Sequence, residues 1–245
     1  MNISKVYEWT IFNLMAPQCP LCTLPAQPDS GLCPGCAADL PALLRPGQTL
    51  CRCGLPLPGA PPPVGTLPPL CGRCLHRPPP FERVVAPLAY AFPLDHLILG
   101  HKQQRRPALE RAFLWLWRQQ LPLQGAQRPD LLVPVPLHWR RLWWRGFNPA
   151  AQLARTASVA LDIPMQPVLA RHRATPSQQG LSAAARRRNL AAALRVTHDI
   201  RGRHIALIDD VVTTGSTARM ASQVLRDQGA ARVEVWALAR TLPPD

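Results

Sequence analysis

The chain has 245 residues, enough for one full α/β domain plus a smaller module, and its formal charge is +14. Lysine occurs only at Lys5 and Lys102, so nearly all the basicity is arginine, whose planar fork pairs bidentately with phosphate. No stretch approaches the ~18 apolar residues of a membrane span, and there is neither a Gly-x-x-x-x-Gly-Lys-Ser/Thr loop nor a Gly-x-Gly-x-x-Gly turn, so nucleotide hydrolysis and dinucleotide binding lose their usual signatures.

Residues 1–16 place Val6, Tyr7, Trp9, Ile11, Phe12 and Leu14 among polar neighbours. They lack a clean apolar core and a small-residue cleavage site, so they read as an amphipathic helix rather than a signal peptide, and the chain reads as cytoplasmic. Residues 17–76 follow as a cysteine module. All eight cysteines lie in it, as the close pairs Cys19/Cys22, Cys33/Cys36, Cys51/Cys53 and Cys71/Cys74. Three pairs have the Cys-x-x-Cys spacing that turns two thiolates toward one tetrahedral ion, and cytoplasmic thiols stay reduced, so zinc is favoured over disulfides. Two four-cysteine sites would use every thiol, each contributing ~10–16 kcal/mol of metal-dependent folding energy. Sequential pairing and a crossed arrangement both satisfy the spacing. Cys51-Arg-Cys53 is one residue short of the usual knuckle, which makes the second site the weaker match.

Residues 54–70 are proline-rich and predict an extended excursion, and Pro78–Pro80 a stiff linker into a domain spanning 77–245. A strand is expected over Val84–Tyr90, then helices near Leu94–His101 and Pro107–Leu121. Leu131–Val135 reads as a short buried strand, and Asn148 with Pro149 as the cap and first turn of a helix to about Ala160. Val168 falls in a further short strand, Ser182–Leu194 in a basic helix, and the closing strands are His204–Ile208 and Val233–Ala239. Strands alternating with helices imply an α/β fold with a parallel sheet flanked on both faces.

The most informative segment is Ile205–Thr217. An apolar strand ends in Asp209 and Asp210, at the edge where an open α/β sheet builds its ligand crevice. Val211, Val212, Thr213, Thr214, Gly215, Ser216 and Thr217 then lead into a periodic helix that stops at Gly229. Free N–H groups and the helix dipole would cradle a phosphate there. Two carboxylates beside a phosphate need a ribose diol or Mg²⁺ to satisfy them, so a sugar 5-phosphate fits. Pro134-Val-Pro136 leads from another strand into His138, Arg140, Arg141 and Arg145, where a second anionic group can sit. Trp139, Trp143 and Trp144 read equally as a base-stacking platform or as packing anchors.

Asp209-Asp210-Val-Val-Thr-Thr-Gly-Ser-Thr217 resembles the fingerprint of type I phosphoribosyltransferases, which bind phosphoribosyl pyrophosphate. Val133-Pro-Val-Pro136, Arg145-Gly-Phe-Asn148 and the spaced set Arg173, Thr175, Gln178, Leu181, Arg186 and Asn189 narrow the resemblance to the ComF/GntX group, from about Cys19 to Leu242. That group joins a double zinc ribbon to a phosphoribosyltransferase domain. The resemblance implies that Asp209 and Asp210 hold the ribose, that Val211–Thr217 hold the 5-phosphate with Mg²⁺, and that Pro136, His138 and Arg145 face pyrophosphate. Residues 171–189, with Arg173, Gln178 and Arg186, would form the hood over the substrate; Arg186–Arg188 read equally as the solvated face of a helix. Pro149 stands where the family commonly has glutamine, which puts one side-chain contact in question. The implied role is DNA uptake during natural competence, or the use of DNA as a nutrient, with phosphoribosyl transfer to an acceptor that the residues do not specify. The alternative is a non-catalytic protein gated by a phosphoribosyl metabolite, contacting single-stranded DNA or uptake proteins through its zinc and arginine surfaces.

Overall fold

The computed structural model describes residues 17–63, 66–104, 106–121, 128–171 and 194–243. Two compact units emerge. One is built from the described part of Met1–Pro41 together with Ala91–Leu116, the other from Ala42–Tyr90 and from Trp117 onward. The expected helix over 1–16, the hood residues Arg173, Gln178 and Arg186, and all but the last residue of the Ser182–Leu194 helix lie outside the described residues.

The first unit contains helix α1 (Pro34–Ala38) and the helices α3 (Leu94–Gln104) and α4 (Pro107–Gln119), the last continuing into the second unit. Proline at the first position and Glu110 in the first turn suit the start of α4, and Arg118 suits its end. Leu94, Leu97, Ile98, Phe113 and Leu116 are buried, and His101 stacks on Phe113 with centroids 4.4 Å apart.

The second unit begins with a hairpin of β1 (Gln48–Leu50) and β2 (Pro56–Pro58), followed by α2 (Gly72–His76). The proline-rich stretch is thus partly a strand: Gln48 pairs with Pro58 and Leu50 with Pro56 in a two-stranded sheet. Two strands are all edge, and there proline's missing N–H is tolerated. The expected strand over 84–90 is two short ones, β3 (Val84–Val85) and β4 (Leu88–Ala89), split at Ala86–Pro87 because proline cannot donate to the ladder.

Beyond these lie β5 (Leu131–Pro134), α5 (Trp139–Arg145), α6 (Pro149–Leu161), β6 (Leu169–Arg171), β7 (Leu194–Val196), β8 (His204–Val212), α7 (Ser216–Asp227) and β9 (Arg232–Arg240). The main sheet runs β3-β9-β8-β5, with β4 also pairing β9, and every pairing is parallel. It is the flanked parallel sheet that the strand and helix alternation predicts. The Val168 strand belongs elsewhere: β6 pairs antiparallel with β7 in a separate small sheet. Ile205, Leu207, Val233 and Val235 are buried with Leu131 and Val133, and each such side chain contributes roughly 1.5–3 kcal/mol. Asn148 caps α6 with its Oδ1 3.1 Å from the Ala150 N–H, while its Nδ2 donates to the Val135 carbonyl at 2.9 Å. One side chain therefore starts the helix and fixes it to the end of β5.

Candidate functional site

β8 continues four residues past the predicted end, through Asp209 and Asp210 to Val212, because β9 stays paired beside it: Asp209 faces Ala237 and Val211 faces Ala239. The acidic doublet therefore sits in a strand whose position the sheet fixes. Both aspartates are half-buried. The Asp210 N–H donates to Asp209 Oδ1 at 2.9 Å, and the Val211 N–H donates to Asp210 Oδ1 at 2.8 Å.

Past buried Val212 the chain turns outward. Thr213, Thr214, Ser216 and Thr217 are exposed, and Gly215 caps α7 with φ 75° and ψ 7°. That left-handed conformation costs a residue with a Cβ about 1 kcal/mol or more and costs glycine little. Thr214 Oγ1 lies 2.9 Å from Ser216 Oγ and accepts the Ser216 N–H at 3.3 Å. The first N–H groups of α7 point out of the helix, where its dipole is positive. The turn thus offers hydroxyls and amides on the surface, beside two carboxylates.

Cations stand near it. His138 is the N-cap of α5, its Nδ1 3.2 Å from the Arg140 nitrogen, and Arg145 is the last residue of that helix before left-handed Gly146. Burial lowers the Arg145 guanidinium below its ordinary range; the Asp210 carboxylate opposes that shift and Arg141 adds to it. Burial also lowers Arg171, again with help from Arg141, and burial followed by Arg171, Arg140 and Arg141 holds His138 down. The cations are crowded enough to disfavour one another, a condition an anionic ligand relieves. Pro136 is half-buried just before this helix. Trp139, Trp143 and Trp144 are exposed by 56, 84 and 66%, so none is a packing anchor among the described residues. The Arg140 guanidinium sits 5.3 Å from the centroid of Trp139.

The eight cysteines form two tetrads in sequential order: Cys19, Cys22, Cys33 and Cys36, and Cys51, Cys53, Cys71 and Cys74, with the sulfurs of each within 4.8 Å of one another. Zinc–sulfur bonds of ~2.3 Å in a tetrahedron separate sulfurs by about 3.8 Å, so both sets fit that ion. Observed separations include 3.4 Å for Cys22–Cys33 and 3.5 and 3.9 Å from Cys53 to Cys51 and Cys71. The short Cys51-Arg-Cys53 pair is accommodated at the hairpin tip, where the Gly54 N–H donates to the Cys51 carbonyl at 2.7 Å and Gly54 adopts φ 75°. Burial raises Cys51 to about 11. Burial also pushes Cys19 up, but backbone N–H groups from Cys33, Leu21 and Cys22 outweigh it and bring that thiol to about 7. Cys36 and Cys74 are driven far up by burial and by their thiol neighbours. Four thiols so close cannot all ionise without a cation among them.

Sequence reasoning missed two arginines of this region. Arg240 ends β9 and is 4% exposed, its Nε donating to the Cys53 carbonyl at 2.9 Å and its Nη1 to the carbonyls of Val212 at 2.9 Å, Thr241 at 2.8 Å, and Thr213. Arg219, in the first turn of α7, donates to the carbonyls of Arg77 and Pro78 at 3.0 and 3.1 Å and to Cys74 Sγ at 3.4 Å. The available signal for the first was a charge closing the apolar run Val235–Ala239.

The sequence profile of the phosphoribosyl transferase domain matches residues 144–242. The chain is 42% identical to the DNA utilization protein YhgH of Escherichia coli K12 over 231 residues, 91% of this chain and 97% of that protein. It is 37% identical to Competence protein F of Haemophilus influenzae, over 69% of this chain and 78% of that one. Among solved structures, it is similar to glutamine phosphoribosylpyrophosphate amidotransferase from B. subtilis at 21% identity, with 57% of this chain and 30% of that chain covered and a TM-score of 0.42.

Proposed function

The chain belongs to the ComF/GntX family of DNA-utilisation and competence proteins, with a phosphoribosyltransferase-type domain, and from that premise we propose that it binds phosphoribosyl pyrophosphate with Mg²⁺. The observation that carries this reading is the acidic doublet on a central parallel strand, running straight into a hydroxyl-rich turn at a helix N-terminus. Asp209 and Asp210 hold the ribose hydroxyls; the turn Thr213–Thr217 holds the 5-phosphate. Arg145, together with His138 and Pro136 at the other end of α5, faces the pyrophosphate, whose charge offsets the effect of Arg141 on Arg145 and Arg171. Arg173, Gln178 and Arg186, outside the described residues, would supply the hood that the family resemblance implies. Asp209 and Asp210 would hold Mg²⁺, which would supply charge neutralisation for the phosphates.

In the catalytic form of this proposal, the bond from the anomeric carbon to pyrophosphate breaks and a nitrogen nucleophile forms the new bond. Asp209 and Asp210 stabilise the positive charge that develops on the ring, and the turn holds the sugar in place. Rate comes from positioning and electrostatics rather than from a general base. The reaction is cytoplasmic, where reduced thiols let the two tetrads hold zinc.

Calorimetric titration of phosphoribosyl pyrophosphate with Mg²⁺ tests the site. Wild type is expected to bind, and Asp209→Ala/Asp210→Ala to lose about a hundredfold or more in affinity, since charge-assisted hydrogen bonds are lost from both residues. Equal affinity in both proteins discards the assignment. A second reading rests on α5: three exposed tryptophans interleaved with Arg140, Arg141 and Arg145 form a stacking platform for single-stranded DNA. On that reading the protein is a metabolite-gated binder. Salt-sensitive DNA binding without pyrophosphate release from candidate bases selects it over the enzyme.

A further inference from the structure

Two guanidinium groups connect the second tetrad with the turn after β8. Arg240 bonds at once to the backbone of a cysteine in the tetrad and to the Val212 and Thr213 carbonyls from which the turn departs. Arg219 bonds to the Cys74 sulfur and to the backbone just after α2, and it rides on the helix where the turn ends. Both ends of the turn are thus fastened to the segments that carry one tetrad, one through the Cys53 carbonyl and the other through the Cys74 sulfur. A buried arginine is unfavourable unless its donors are satisfied, and here four carbonyl oxygens accept from Arg240. Gly54 packs against the same side chain: a Cβ there would lie 3.5 Å from Arg240 Cδ and 3.0 Å from Val84 Cγ1. Four thiolates around one Zn²⁺ carry a net charge of about −2, which these two guanidinium groups balance.

We propose that Arg240 and Arg219 are positioning residues, through which metal occupancy of the Cys51, Cys53, Cys71 and Cys74 tetrad sets the shape of the phosphate turn. The inference rests on the phosphoribosyl reading of that turn. With the tetrad filled, the Cys53 carbonyl and Cys74 sulfur are fixed points, and the guanidinium groups hold Val212, Thr213 and the first turn of α7 in register. With it empty, the hairpin tip and the start of α2 relax, the arginines lose their anchors, and the turn samples conformations that grip phosphate poorly. The short knuckle is then part of the phosphoribosyl site.

The test uses the full-length zinc-loaded chain and reads three quantities: zinc content, amide exchange over residues 212–218, and affinity for phosphoribosyl pyrophosphate with Mg²⁺. Cys53→Ser is expected to lose one zinc, to exchange about tenfold faster over 212–218, and to bind about tenfold more weakly. Arg219→Ala is expected to keep both metals yet show the same local loosening, with Arg219→Lys recovering part of it. Exchange over 204–208, in the buried part of β8, stays at the wild-type rate in both, which a general loss of stability would not allow. An unchanged turn in a protein that has lost the second zinc, or in Arg219→Ala, overturns the proposal. Should Cys53→Ser fail to fold, Arg219→Ala decides alone. Should wild type fail to bind the sugar phosphate, the site reading fails; the exchange measurement needs no ligand and still decides the coupling.

Discussion

The two cysteine tetrads present the same donor set to an ion but are built into different surroundings. Cys19, Cys22, Cys33 and Cys36 belong to the unit that includes α3; they come from two knuckles of ordinary spacing, the second capping the start of α1 through the Cys36 N–H to Cys33 Sγ contact at 3.4 Å. Cys51, Cys53, Cys71 and Cys74 belong to the unit that contains the parallel sheet, and one of their knuckles is short. The Cys53 carbonyl accepts from Arg240, the Arg52 carbonyl accepts from the Val84 N–H at 2.8 Å, and Cys74 accepts from Arg219. Spacing tells which tetrad is easier to recognise. What its backbone is bonded to tells which one is tied to the turn after β8.

The largest effects test that contrast directly. Loss of zinc from either tetrad removes up to ~10–16 kcal/mol of local folding energy, so elemental analysis of wild type is expected to give two zinc ions per chain. A value near one removes the Cys51–Cys74 site. Cys22→Ser is expected to raise amide exchange over 17–41 while leaving 212–218 as in wild type; matching loosening of the turn would erase the distinction between the tetrads. Next in size is Arg240→Met, which keeps the bulk and removes a guanidinium donor from four carbonyls, of which Val212 keeps the Thr241 N–H. It should cost about 3 kcal/mol in denaturant unfolding, with the turn loosened beyond the rest of the sheet.

Acid separates thiolate loss from failure of the sheet. Glu234 is buried in β9; burial pushes its carboxyl up, but His204, Trp236 and Arg83 outweigh that and bring it to about 2, with Arg83 Nη2 at 3.0 Å and Trp236 Nε1 at 3.1 Å. A depressed folded-state pKa gives stability that is full above the unfolded value of ~4.3 and is lost as the pH falls toward about 2. Glu234→Gln should therefore be about 2 kcal/mol less stable at pH 7, and the gap should close between those two pH values. A gap independent of pH would assign its role to packing. The smallest effect is that of Gly54→Ala. Its φ of 75° and the 3.0 Å approach to Val84 predict about 1–2 kcal/mol of destabilisation, seen as lower zinc retention in competition with a chelator.

Elements with a strong local signal were readable. Asn148-Pro149 announced α6, and its start falls there because the cap and the fixed φ of proline act within a few residues. The strand at 205–208 was readable from its apolar run, but its extension through Asp209 and Asp210 was not. Two charged residues look like a strand end until β9 is seen beside them, supplying hydrogen bonds as far as Arg240. The β6–β7 pair escaped for the same reason: antiparallel pairing of Leu169 with Val196 joins residues far apart in the chain.

The order of residues alone determined the doublet, the hydroxyl-rich turn and the eight thiols, since each is a local pattern whose chemistry follows from residue type and spacing. Tertiary structure decided which thiols share a centre, that the three tryptophans of α5 face solvent, and that Arg240 joins a cysteine hairpin to the turn after β8. Those outcomes depend on segments up to 187 residues apart meeting in space, and no periodicity or motif encodes a contact of that range.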